Sequence, residues 1–333
     1  MARQEDAAIL EDFSLASQVV SRVLENPDML SPLATPKATK AVLEAHGLDT
    51  KYTLGQNFLV NDAILRKIVE LAQTSPEDYV LEVGPGIGTL TIALLKTAGR
   101  VLSVERDPDL PQVLKRTLRP WSDRFSLVSK DAVELTREDL DACAPQGFDR
   151  ALPNKLVANL PYAVAATVVL GYFQEFGFLD SATVMVQKEV ADRMCAQKGT
   201  KNYGAYTVKL HLYAQPAGRF PVGPGNFFPP PRVDSAVLRL DRVQTVNDQG
   251  NVLSPSELAD VCTVADASFA NRRKTIANSF KTYFAGRGPA GAQVLEQLPE
   301  LLAAAGIDPK RRGETLDQAE FIRLGAAYRE LLG

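Results

Sequence analysis

From Tyr79 onward, short apolar runs alternate with stretches whose apolar residues recur at helical spacing. YVLEV, RVLSVE, FSLVS, KLVANL and ATVMVQ each form a brief apolar run bounded by polar or turn residues, and they read as strands. Between the first two lie the loop GPGIG and the helical stretch TLTIALLKTA. Strands separated by helical patterns predict parallel pairing through crossover helices, the open α/β architecture. Sheets of this kind bind ligands at the carboxyl ends of their strands. The strand ends are therefore where chemistry is sought.

The flanks read differently. Residues 1–30 suit an amphipathic helix without a motif, and SPLATPKATKAVLEAHG leads through prolines into a short helix ending at Gly47. Ile64, Leu65, Ile68 and Leu71 recur at helical spacing, with Asn61 or Asp62 as the cap. After FFPPPRVDSAVLRLDRV the composition turns polar, in QTVNDQGN. Ser254, Pro255 and Glu257 then form a capping box that opens a helix. The expected organisation is an extension over 1–30, an α/β domain over 31–245 and a smaller helical domain over 254–333.

Composition narrows the function. With 45% hydrophobic and 23% charged residues in 333, the chain reads as an ordinary globular protein. No apolar stretch approaches the roughly 18 residues of a membrane span. The N-terminus lacks the basic start and apolar block of a secretory signal, so a cytoplasmic location and no membrane partner are expected. Cys143, Cys195 and Cys262 are too scattered for a disulfide framework or a zinc site. With only His46 and His211, a histidine triad or multi-histidine metal centre is disfavoured, and no metal is expected. The net charge of −3 argues against a simple basic coat for nucleic acid. One cluster opposes that trend: Arg272, Arg273 and Lys274, with Lys281 beyond, contain no acid between them.

The strand ends carry a progression. The first runs into Gly84, Gly86 and Gly88, which let a nucleotide approach the backbone and bring a helix start near it. The spacing is G-x-G-x-G rather than the dinucleotide G-x-G-x-x-G, and Pro85 removes an amide donor a pyrophosphate would use. Glu105 ends the second strand 21 residues after Gly84, at the distance of an acid that binds ribose hydroxyls. Asp131 follows the third strand and offers an acceptor to an adenine amino group. Glycines, then Glu105, then Asp131 fit S-adenosyl-L-methionine better than NAD. Glu82 is either a partner for the methionine ammonium or a structural acid.

The fourth strand delivers Asn159, Leu160, Pro161 and Tyr162. This NLPY resembles the signature of methyltransferases acting on exocyclic amino groups of nucleobases. Together with LGQNFL, VLEVGPGIGTLT, KDA, QKEVADRM, YGAYTV, FFPPPRVDSAV and GIDPKRRGETL, the chain from about Ala34 resembles the ribosomal RNA adenine dimethyltransferases. The resemblance implies a Rossmann-like methyltransferase domain with a helical C-terminal domain. It implies transfer of two methyl groups to N6 of each of two adjacent adenosines near the 3′ end of small-subunit rRNA. The partner would be that rRNA or a precursor 30S particle, and a monomer is expected. Residue by residue, Asn57 and Leu59 would cover the cofactor, and Gly84 and Gly86 would approach its methionine part. Glu105 would take the ribose and Asp131 the adenine. Asn159 would lie between cofactor and amine, Phe227 would stack on the target base, and Arg272, Arg273 and Lys274 would contact RNA.

These residue types suit that reaction. An adenine amino nitrogen is a poor nucleophile, because its lone pair is delocalised into the ring. Acceptors on its two N–H groups favour a pyramidal nitrogen and stabilise the charge that develops. The Asn159 oxygen is one acceptor and the Leu160 carbonyl the other, since Pro161 restricts its predecessor to extended geometry. Tyr162 offers a ring face for the base. Three other readings compete. Large-subunit rRNA adenine N6-methyltransferases of the macrolide-resistance type share the architecture; Leu160, YGAYTV and GIDPKRRGETL discriminate against them. An NAD-dependent oxidoreductase is disfavoured by the glycine spacing. A non-catalytic RNA-binding relative is disfavoured by the intact Asp131, Asn159 and Tyr162.

Overall fold

The computed structural model describes residues 29–48 and 56–332. Nearly all of the helix expected over 1–30 lies outside them, as do Leu54 and Gly55 of the LGQNFL motif. The chain divides into two compact units. Of the described residues, the first holds those up to Lys188 and Ala217–Asp241, and the second holds 189–216 and those from Arg242 onward.

In the first unit, α1 (Pro36–Ala45) starts at Thr35, whose side chain accepts the Ala38 N–H. β1 (Phe58–Leu59) leads to α2 (Asp62–Ala72), and Asn61 is its cap, accepting the Ala63 N–H. Ile64, Leu65 and Ile68 are buried as their spacing predicts, Val69 and Ala72 extend the stripe, and Leu71 is half-buried.

Then come β2 (Tyr79–Val83), α3 (Thr89–Thr97), β3 (Arg100–Glu105), α4 (Leu110–Thr117) and β4 (Phe125–Ser129). α5 (Arg137–Asp141), β5 (Lys155–Asn159), α6 (Ala165–Glu175) and β6 (Ser181–Gln187) follow. Every residue of β2 is buried, as expected of a central parallel strand covered on both faces. α7 (Lys188–Met194) and α8 (Ala205–His211) precede β7 (Ala214–Val222), β8 (Phe227–Phe228) and β9 (Ser235–Arg242).

The seven-stranded sheet has the order β4-β3-β2-β5-β6-β9-β7. The five strands legible in the sequence are parallel neighbours. β9 joins antiparallel to β6, and β7 forms the edge. β7 carries Pro216, Pro221 and Gly218, which weaken a strand pattern and are tolerated at a sheet edge. β1 and β8 form a separate antiparallel pair.

The second unit has its own helical core. α9 (Pro255–Phe269) opens on Ser254 and Glu257 with both capping-box bonds formed. α10 (Ile276–Phe284), α11 (Gly288–Glu296), α12 (Leu298–Ala304) and α13 (Gln318–Leu332) complete it. The segment 189–216 was expected in the α/β domain but groups with these helices. The reason is burial: Tyr203, Val208 and Leu212 share one apolar cluster with Val261, Val264 and Phe321. Among the described residues no helix is long and apolar enough to cross a membrane.

α13 meets α9 at Gly325, where an added Cβ would lie 2.6 Å from Val261 Cγ2 and 3.0 Å from the Val261 nitrogen. Alanine gains about 1 kcal/mol in helix propensity over glycine, while overpacking against backbone costs about 1–3 kcal/mol. Gly325→Ala should therefore leave stability level or lower it by up to about 2 kcal/mol. Urea denaturation checks this, and a gain in stability would mean the helices separate freely there.

Candidate active site

The chain proceeds from β2 to β3 and β4 on one side, and then to β5 and β6 on the other. The strand order reverses between β2 and β5, which opens a crevice at their carboxyl ends. A cavity of about 350 Å³ lies there, entirely within the first unit. Asn57, Leu59, Gly84, Gly86, Glu105 and Asp131 all line it. So do Asn159, Leu160 and Tyr162.

The glycine loop is shaped for close approach. Gly84 and Gly86 have φ of +68° and +59°, in the left-handed region that favours glycine. A Cβ on Gly86 would stand 3.0 Å from Phe58 Cε1, so the residue is also needed for the 56–59 segment to close over the loop. Besides its pairing with β8, two side-chain bonds hold that segment. Gln56 Nε2 donates to Asp107 Oδ2 at 2.7 Å, and the Asn57 carbonyl accepts the Asn159 side-chain N–H at 3.1 Å.

The second bond orients the Asn159 amide. With its nitrogen donating to a carbonyl, its Oδ1 is left as the acceptor within the cavity lining. The Leu160 N–H donates to the Met185 carbonyl at 3.1 Å, continuing the β5–β6 ladder one residue past the strand. That bond and Pro161 fix the Leu160 peptide at the cavity wall. The Tyr162 hydroxyl and Ser235 Oγ share a hydrogen bond of 2.7 Å, which holds the ring in place.

The acids differ in environment. Glu105 is 7% exposed, and its Oε1 accepts the Asp107 N–H at 2.8 Å. Burial raises its carboxyl above the ordinary range, more than backbone hydrogen bonds lower it. Asp131 accepts from the Val133 N–H at 3.1 Å and pairs with Arg106 at 3.0 Å. Arg106 also lines the cavity and carried no sequence signal beyond its place after Glu105. Glu82 is 1% exposed, and its Oε2 accepts hydroxyl protons from Thr91 and Ser103, each at 2.7 Å. The Ser103 contact follows from register, since Glu82 lies opposite it across β2 and β3. Burial pushes the Glu82 carboxyl up to about 7.

Four of the expected site residues lie outside the cavity lining. Phe227 does not line the cavity: it is 4% exposed, lies opposite Leu59 in the β1–β8 ladder and belongs to the first unit's core. Its side chain packs in that core. Arg272, in the second unit, donates to Glu314 Oε2 at 3.1 Å and to the Thr200 carbonyl at 3.2 Å. It ties three loops together while remaining exposed, as are Arg273 and Lys274.

The profile of the family described as ribosomal RNA adenine dimethylase matches residues 47–323. A ribosomal RNA small subunit methyltransferase A from Geobacillus kaustophilus (strain HTA426) is 40% identical over 309 residues, covering 92% of this chain and 100% of that protein. The protein of that name from Enterococcus faecalis (strain ATCC 700802 / V583) is 39% identical over 295 residues, or 89% of this chain and 96% of its own. Among solved structures, a dimethyladenosine transferase from Plasmodium falciparum aligns with a TM-score of 0.66 at 23% identity, covering 82% of this chain and 98% of its own. ErmE, a 23S rRNA methyltransferase, aligns with a TM-score of 0.55 at 24% identity over 82% of this chain and 100% of its own. Both share the Rossmann-like α/β fold expected from the strand pattern. The profile match spans most of the sequence, and the two bacterial relatives are aligned over nearly their whole lengths. The chain belongs to the ribosomal RNA adenine dimethylase family.

Proposed function

We propose that this protein dimethylates N6 of two adjacent adenosines near the 3′ end of small-subunit rRNA, with S-adenosylmethionine as the methyl donor. The observation that carries the reaction type is the Asn159 amide, turned by its bond to the Asn57 carbonyl so that oxygen remains to accept. The substrate assignment is supported by the two relatives named as small-subunit methyltransferases at 40% and 39% identity.

The residues present fit the cofactor. Gly84 and Gly86 bring backbone without side chains to the cavity lining, and Glu105 and Asp131 present carboxylates at successive strand ends. When bound, S-adenosylmethionine supplies a methyl group activated by sulfonium. Asn159 Oδ1 and the Leu160 carbonyl accept the two N–H groups of the adenine amine and aim its lone pair at that methyl. Both oxygens would face the positive charge that develops on the nitrogen as it takes the methyl group. The methylated nitrogen then loses a proton to solvent, and a second round follows. Tyr162 supports the base, which must be unpaired or flipped to expose N6.

Arg273 and Lys274 serve as phosphate contacts, with Arg272 holding their loop in shape. Replacing both by alanine should weaken binding to the particle and reduce the slope of log K against log salt by about two. Binding measured at several salt concentrations checks this, and an unchanged slope assigns the contact elsewhere. The function itself is tested by offering labelled S-adenosylmethionine with purified small-subunit particles lacking the modification. Label should enter the small-subunit RNA. Equal labelling of large-subunit RNA would favour the macrolide-resistance reading, and no labelling of any RNA would favour a binding role.

A further inference from the structure

Tyr172 is 4% exposed on α6 and is not among the residues that line the cavity. Its hydroxyl donates to the Ala132 carbonyl at 2.9 Å, a contact between residues 40 apart in sequence. Burial, with the Asp131 and Glu175 carboxylates nearby, raises the phenol above its ordinary range, so it stays a donor. The Leu135 N–H also reaches that oxygen, at 3.4 Å, which leaves the tyrosine the shorter bond. The Tyr172 ring packs 4.9 Å from Phe176, which stacks on Phe178, and the Arg137 guanidinium at the start of α5 lies over Phe178.

Burying a hydroxyl is costly unless it holds a partner. What this one holds is the peptide that follows Asp131. On the other side of Asp131, the Lys130 N–H donates to the Glu105 carbonyl at 3.0 Å, carrying the β3–β4 ladder one residue past the strand. Asp131 therefore sits between two pinned peptide groups, one held by the sheet and the other by Tyr172. Val133, next in the turn, is 48% exposed and adds little packing.

We infer that Tyr172 is a positioning residue for Asp131, holding its carboxylate through the Ala132 peptide where the adenine amino group is to be met. This rests on the proposed cofactor and on the proposed adenine contact of Asp131. A hydrogen bond weakens steeply with length and angle, so a small drift of the acceptor is enough to lose it. Without the hydroxyl the turn can drift while α6 stays packed through the ring. Tyr172 thereby sets affinity for the adenine end and touches no ligand itself.

A double-mutant cycle reads this role, because residues that act through one another do not add. Calorimetric titration of Tyr172→Phe should show S-adenosylhomocysteine bound about fivefold weaker, the effect of misplacing one hydrogen bond. In the Asp131→Ala background the same change should shift the affinity by no more than about twofold. Binding by the doubly altered protein also shows that the fold survives loss of the hydroxyl. S-Inosylhomocysteine, with oxygen in place of the amino group, gives the same control without a second substitution. Its affinity for Tyr172→Phe should also stay within about twofold of that for the unaltered protein. Equal weakening in both backgrounds or for both ligands, or no weakening at all, overturns the positioning role and leaves the cofactor reading standing. An Asp131→Ala protein that binds S-adenosylhomocysteine as tightly as the unaltered one overturns it too, since no contact is then left to position. If the unaltered protein does not bind S-adenosylhomocysteine, the cofactor reading falls and this role falls with it.

Discussion

Asn159→Ala should lower turnover by about 10²–10³-fold, the scale seen when one preorganised polar group at a developing charge is removed. The loss should belong to the chemical step, because in the proposed reaction the side-chain oxygen would accept from the amine as its nitrogen becomes cationic. Cofactor affinity should change by no more than about threefold, since Gly84, Gly86, Glu105 and Asp131 remain in place. Asn159→Asp keeps an acceptor but gives up the N–H bond to the Asn57 carbonyl, so it should recover only part of the rate. Single-turnover rates with saturating cofactor, alongside calorimetric binding of S-adenosylhomocysteine, separate these effects. A variant that loses cofactor binding while keeping its single-turnover rate would place Asn159 in binding alone.

Glu82→Gln should make the protein more stable at pH 8, by up to the order of 3 kcal/mol. Glu82 is buried and its folded carboxyl is raised from 4.5 to about 7, so the folded state binds a proton more tightly than the unfolded chain. Its contribution is therefore fully present below about pH 4.5 and is lost as pH rises through about 7. Glutamine is neutral throughout and keeps an oxygen for the Thr91 and Ser103 hydroxyls. The advantage of the variant should be small at pH 5, grow toward pH 7 and level off above it. Glu105 is raised in the same direction, so the variant keeps a residual slope of the same sign. Urea midpoints between pH 5 and 8.5 test this. A difference independent of pH would mean that Glu82 does not change protonation in that range.

The strand ends were legible because each is a contiguous apolar run closed by a polar residue, so sequence order and spatial order coincide in the sheet. Gly84, Glu105, Asp131 and Asn159 accordingly meet at one cavity. What stayed hidden was non-local or depended on which way a side chain faces. β7 and β9 were not assigned, since prolines break the first and the second pairs against the parallel direction. A pattern beginning at Phe227 names two consecutive rings without saying that strand pairing opposite Leu59 turns the first into the core. Arg272 reads as a free cation until Glu314, 42 residues away in sequence, is found beside it. Tyr172 looks like one more apolar position of a helix; only the three-dimensional structure shows its hydroxyl on the Ala132 carbonyl.

In the proposed function, Asn159 and Leu160 hold an adenine amine of small-subunit rRNA for methylation. Mapping the modified nucleotides after reaction with small-subunit particles lacking the mark tests it most directly. Two adjacent adenosines near the 3′ end should each carry two methyl groups on N6. Methyl groups on a large-subunit adenosine, or on a ring nitrogen instead of N6, would contradict it.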